Sequence, residues 1–162
     1  MSYRLSPPPT KSKSPTTQPR PYAHQMPVER RAARAAVLLL RVSLGVVFIA
    51  HAWLKLDVYT LPGTADFFNQ HGFPGWTAYP VFLLELIGGL ALVAGAYSRW
   101  VAVALVPVLA GALSVHWPNG WSFTAPNGGW EYVAFLIAAL LVQAGLGDGP
   151  LALSTRLERM RR

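Results

Sequence analysis

Polarity changes along this chain in blocks rather than residue by residue. Four apolar runs, Ala35 to Leu54, Pro80 to Tyr97, Trp100 to Trp117 and Trp130 to Leu146, are separated by stretches rich in Gly, Pro, Asn and charged residues. Each run is close to the ~17–25 apolar residues that carry a helix across hydrocarbon, the last three at the short end of that range. Hydrocarbon tolerates only helices or a closed barrel, because no water is there to satisfy the backbone. The runs lack the period-2 alternation of barrel strands, so the pattern predicts an all-α integral membrane protein, a four-helix up-down bundle.

Composition agrees with that class. Hydrophobic residues make up 52% of the chain and charged residues 13%, against roughly 25% charged in an ordinary soluble domain. The net charge of +7 is distributed by segment. Residues 1–34 carry Arg4, Lys11, Lys13, Arg20, Arg30, Arg31 and Arg34; the C-terminus carries Arg156, Arg159, Arg161 and Arg162; Arg99 lies in the short second connection. The other two connections hold Lys55, Asp57 and Asp66 and no arginine. The positive-inside rule then predicts both termini in the cytoplasm and both long loops outside, in a multi-pass membrane protein. Arginines abutting a membrane helix suit anionic headgroups, so the basic balance implies a bilayer and no nucleic-acid partner.

Three segments follow along the chain. Residues 1–30 read as a disordered Pro-, Ser- and Thr-rich cytoplasmic tail, 31–153 as the helical domain and 154–162 as a basic cytoplasmic tail. The first apolar run is longer than a signal-peptide core and lacks a clear cleavage site, which predicts a retained anchor. Within the first outer loop, Thr64 to His71 predicts a short helix. The second carries Pro118-Asn119-Gly120-Trp121 and then Pro126-Asn127-Gly128-Gly129-Trp130, turn formers followed by tryptophan. Small pairs four residues apart, Ala91 with Gly95, Ala110 with Ser114 and Ala134 with Ala138, predict close helix packing. Pro107 predicts a kink in the third run.

Threading the runs up and down brings His51, Lys55, Glu85, His116 and Glu131 to about one depth near the outer face. Ionisable groups are costly in hydrocarbon, so their convergence predicts an obligatory polar network or a site for ligand contact or proton transfer. Glu85 stands between Leu84 and Leu86 and needs an internal partner or a proton. His51 is the partner this reading favours, with Lys55, His116 and Glu131 as an outer ring. Lys55 and Glu131 also fit a plainer role as interfacial groups whose heads reach water. A second, inner level holds Arg41 and Gln143. Arg41 there either reaches back to inner headgroups or turns inward to Gln143 and the free carbonyls at the end of the last helix.

Metal and haem sites are disfavoured. Two histidines on different helices are the best haem ligands available, with no CxxCH attachment motif. Absence of cysteine excludes a thiolate nucleophile, a disulfide relay and a cluster held by this chain's own thiolates. Redox chemistry would need a bound organic cofactor or a partner.

The run Arg41-Val-Ser-Leu-Gly45 with His51-Ala-Trp-Leu-Lys55 resembles the first helix of DoxX-family membrane proteins. Phe68 with Gly72-Phe-Pro, Glu85 with Gly88-Gly89, Gly95 with Arg99, Gly128-Gly-Trp-Glu131-Tyr and Gly145-Leu-Gly-Asp-Gly149 follow in the family's order. The likeness extends from about Ala35 to Leu153, and Ala52 departs from the usual small residue after the histidine. The resemblance implies a four-helix bacterial inner-membrane protein of a functionally mixed family, often labelled oxidoreductase, some of whose members resemble subunits of quinone-linked or oxidative-stress-related redox complexes. The reading that follows is such a subunit, with no self-contained catalytic motif, quinone as its candidate ligand and other subunits as partners. The alternatives are a non-catalytic membrane scaffold and a small-solute or proton pathway.

Overall fold

The computed structural model of the chain describes residues 27–154 and Met160, without the side chains of residues 27 and 28. The Pro-rich segment 1–26 and the basic residues Arg156, Arg159, Arg161 and Arg162 lie outside the described residues. Every regular element among the described residues is helical. Helix α1 spans Pro27–Trp53, α2 Leu61–Gln70, α3 Ala78–Ala94, α4 Ser98–His116 and α5 Glu131–Leu146. Three spans, Glu29–Val58, Gly75–Ala94 and Ser98–Asn119, are long and apolar enough to cross a membrane; α5 is a shorter apolar helix. At 16 residues, α5 is about 24 Å long, against a core of about 30 Å.

Helix α1 together with the π turn that follows it, Leu54–Val58, exceeds the predicted run at both ends. It begins at Pro27, where a missing N–H costs nothing, and so takes in residues that composition assigns to the tail. At its far end it passes into a π turn, Leu54–Val58, closed by Tyr59 N–H donating to Leu54 O at 2.9 Å. Helix α2 is the short loop helix expected near Thr64. Thr60 caps it by accepting from Gly63 N at 3.2 Å, and Pro62 sits in its first turn. Gly95 ends α3 in the left-handed conformation, where an added side chain would run into the Arg41 guanidinium. Helix α4 continues through Pro107.

The long helices contact in a ring, α1 against α3, α3 against α4, α4 against α5 and α5 against α1. Leu44, Phe48, Leu92, Ala102, Leu105, Leu109, Leu136 and Leu140 fill its middle. Large apolar side chains also point outward, among them Leu39, Ile87, Leu90 and Phe135. Helices apolar on every side suit hydrocarbon rather than water. The tightest crossing is between α1 and α3. A Cβ on Gly45 would lie 2.7 Å from Gly89 O, and one on Gly89 would lie 2.8 Å from Gly45 O. This backbone-to-backbone approach lies outside the small pairs expected from spacing; of those, Ala110 and Ser114 are exposed on α4.

Candidate functional site

Two polar levels flank the apolar middle. One lies toward the long loops (the loop end), the other toward the α3–α4 turn and the end of α5 (the turn end).

At the loop end, Lys55 Nζ donates to both oxygens of Glu85, at 2.9 and 2.7 Å. Glu85 is buried, and the pair's side chains are 16% and 6% exposed for Lys55 and Glu85 respectively. The partner of Glu85 is therefore Lys55 rather than the expected His51. Two causes are visible. His51 Nδ1 is 2.8 Å from Val47 O, so its ring is satisfied by the preceding turn of its own helix. Lys55 sits in the π turn, a widened geometry often found at functional sites, and its side chain leans back along the helix toward α3. The Gly45–Gly89 crossing holds these two helices close enough for the pair to form.

His116 and Glu131 are engaged separately. His116 Nδ1 lies 3.0 Å from Gly128 O, and Asn119 donates to the same carbonyl at 2.9 Å. Glu131 accepts from Phe123 N at 2.9 Å, while its own N–H donates to Trp121 O at 3.1 Å. These bonds tie residues 119–131 over the start of α5. Trp130 supports the loop, stacked on Trp117 at 4.9 Å and edge-on to Trp121 at 4.5 Å. The five residues read from sequence thus resolve into one ion pair, one helix-bonded histidine and two loop ties. On the exposed side of α1, at the level of His51, Val46, Ile49, Ala50, Trp53 and Leu54 line an open apolar concavity.

The turn end holds the larger buried network. Arg41 is 1% exposed and donates through Nη1 to Asp148 O at 2.6 Å. It turns inward, to a carbonyl just beyond α5. The Asp148 carboxylate accepts from Ser98 N–H, the first residue of α4, and from the Ser154 hydroxyl. A carboxylate at a helix N-terminus is placed where the unpaired N–H groups favour it. Gln143, fully buried, donates to Gly147 O at 2.7 Å. Arg41 and Gln143 lie together at the turn end, each bonded to the segment after α5. Ser98 and Ser154 were not singled out from sequence, and Asp148 entered only within the Gly145-Leu-Gly-Asp-Gly149 motif. Their signal is the Gly147-Asp148-Gly149 turn, whose glycines have φ of 73° and 67°, a conformation L side chains rarely adopt.

No group of three or more His, Cys, Asp or Glu able to hold a metal occurs among the described residues.

Comparison with known proteins covers the loop-end ion pair and, at the turn end, Arg41 and Ser98. Residues 36–117 match the family model described as DoxX. "Putative oxidoreductase CatD" of Bacillus subtilis (strain 168) is 38% identical over 76 residues, 47% of this chain and 55% of that protein. "Inner membrane protein YqjF" of Escherichia coli (strain K12) is 36% identical over 67 residues, 41% of this chain and 50% of that protein. "Uncharacterized protein YdgD" of Bacillus subtilis (strain 168) is 29% identical over 83 residues, 49% of this chain and 71% of that protein. The chain spans about half the length of the first two of these relatives. No solved structure matches it. The family match takes in Arg41, His51, Lys55, Glu85 and His116, and because it extends over just over half of the sequence, the chain belongs to the DoxX family of membrane proteins.

Proposed function

We propose that the chain is an integral subunit of a quinone-linked membrane redox complex, crossing the bacterial inner membrane as a four-helix up-down bundle with both termini in the cytoplasm. The buried Lys55–Glu85 pair carries this reading. Glu85 is the proton-exchanging carboxylate, and Lys55 holds it in place and balances its charge. When a quinol is oxidised, one hydroxyl proton passes to a Glu85 oxygen, which breaks its bond to Lys55. The quinol's second proton leaves to water, and its two electrons leave to a redox centre on a partner subunit, since the chain has no cysteine to hold a cluster. The name of CatD as an oxidoreductase and that of YqjF as an inner membrane protein support the class and the location. The arginines of the turn end, Arg30, Arg31, Arg34 and Arg99, support the orientation.

Optical titration of the reconstituted protein with a quinol tests the reading. Saturable binding that is weakened at least tenfold in Glu85→Gln is expected. Absence of binding, or binding unchanged by the substitution, contradicts it.

One observation favours a second reading. Lys55 occupies both oxygens of Glu85, so the pair also fits a strut that fixes the α1–α3 register in a non-catalytic scaffold. A scaffold predicts that Glu85→Gln lowers the yield of assembled complex while leaving quinol affinity alone.

A further inference from the structure

Among the described residues, the buried side-chain atoms without a protein partner are Arg41 Nε, Ser98 Oγ and Gln143 Oε1. All three belong to the turn-end network. Arg41 Nη1 and the Ser98 N–H both bond Asp148, and Gln143 Nε2 bonds the carbonyl of the residue before it. The three residues that carry the free atoms therefore all bond one dipeptide, Gly147-Asp148.

Their chemistry is complementary. The guanidinium Nε–H can only donate. The amide oxygen of Gln143 can only accept, and its assignment is fixed because Gly147 O requires Nε2 as the donor. The Ser98 hydroxyl can do either. An anion fits this set poorly, since it would face the lone pairs of Gln143 Oε1, and a cation would face the guanidinium. A molecule that both accepts and donates in a small space fits all three. Buried water typically makes about three such bonds to groups that otherwise lack partners.

We propose that the turn end encloses an ordered internal water site, with a water accepting from Arg41 Nε–H, donating to Gln143 Oε1 and bonded to Ser98 Oγ. Its floor is the segment Gly147 to Ser154. Ala152 is fully buried there, the Ser154 hydroxyl donates to Gly95 O at 3.2 Å, and a Cβ on Gly149 would meet Val37 at 2.5 Å. The role of the site is to solvate Arg41, which otherwise has, among the described residues, a single backbone carbonyl as its hydrogen-bond partner. The hydration keeps a charged guanidinium tolerable at that depth. Nothing in this site depends on quinone binding at the loop end.

Water-edited solid-state NMR of the nitrogen-labelled protein in lipid, with the Arg41 resonance identified by its loss in Arg41→Lys, tests the site directly. Magnetisation transfer from water to Arg41 Nε–H is expected, and its absence overturns the proposal. Ser98→Ala supplies an independent readout. Removing a dry, unpartnered hydroxyl leaves stability unchanged or raises it, whereas removing a ligand of the water lowers it. The expected result is an apparent Tm lower by about 2–4 °C together with a weaker water-to-Arg41 transfer. A Tm that stays level or rises overturns the assignment.

Discussion

At the loop end, Lys55 and Glu85 satisfy each other across two helices, side chain to side chain. At the turn end, Arg41 is held by a backbone carbonyl, the nearby carboxylate serves the start of α4, and three buried polar atoms have no protein partner among the described residues. The first arrangement is closed by two residues, so it fails when either is lost. The second is distributed over Arg41, Ser98, Gln143, Asp148 and Ser154, and its parts fail more gently. Between them lies an apolar layer that includes Leu44, Phe48, Leu105 and Leu136. Under the proposed function, the difference separates a place for proton exchange from a place where a helix end and a chain segment are fastened.

The sharpest way to break this contrast is to remove one member of the ion pair. Glu85→Leu leaves the Lys55 ammonium buried without its partner and should cost about 3–5 kcal/mol of stability. Adding Lys55→Leu should recover most of that loss, because two apolar residues can replace a buried pair at little cost. Unfolding of both variants in the same lipid environment decides it. A double variant no more stable than the single one would mean that the two charges are not coupled.

A smaller effect belongs to the turn end. Gln143→Leu leaves the Gly147 carbonyl without its donor and should cost about 1–3 kcal/mol. Combined with Glu85→Leu, the losses should add, since the levels share no bonded partner. Clear non-additivity in the same unfolding measurement would show that the two ends are one network.

The smallest effect is expected at His51. His51→Phe removes a bond to Val47 O within the same helix and should cost about 0.5–1.5 kcal/mol, with quinol affinity nearly unchanged. A loss as large as that of Glu85→Leu would restore His51 as the partner of Glu85.

The apolar runs could be read directly, since block polarity reports a helix in hydrocarbon with little ambiguity. The convergence of Lys55 with Glu85 was also legible, because depth follows from counting along antiparallel helices. The choice between His51 and Lys55 was not. Four residues apart, they share a face in an ideal α-helix, and only the π turn at Leu54–Val58 and the local bond of His51 separate them. Neither leaves a period in the sequence. The Gly45–Gly89 contact escaped for a related reason, since spacing within one helix does not say which partner glycine it meets. Arg41 was visible as a buried charge candidate, but Ser98 at the start of α4 and the segment holding Asp148 and Ser154 meet only once the chain folds back beneath α5.

The central claim is that Glu85 exchanges a proton with a quinol. Infrared difference spectroscopy of the reconstituted protein, before and after quinol addition, observes that carboxyl group directly. The account predicts a carboxylate-to-carboxylic-acid change on oxidative turnover with a partner or artificial electron acceptor, abolished in Glu85→Gln. A difference spectrum with no carboxyl change, or one that persists in Glu85→Gln, would contradict it.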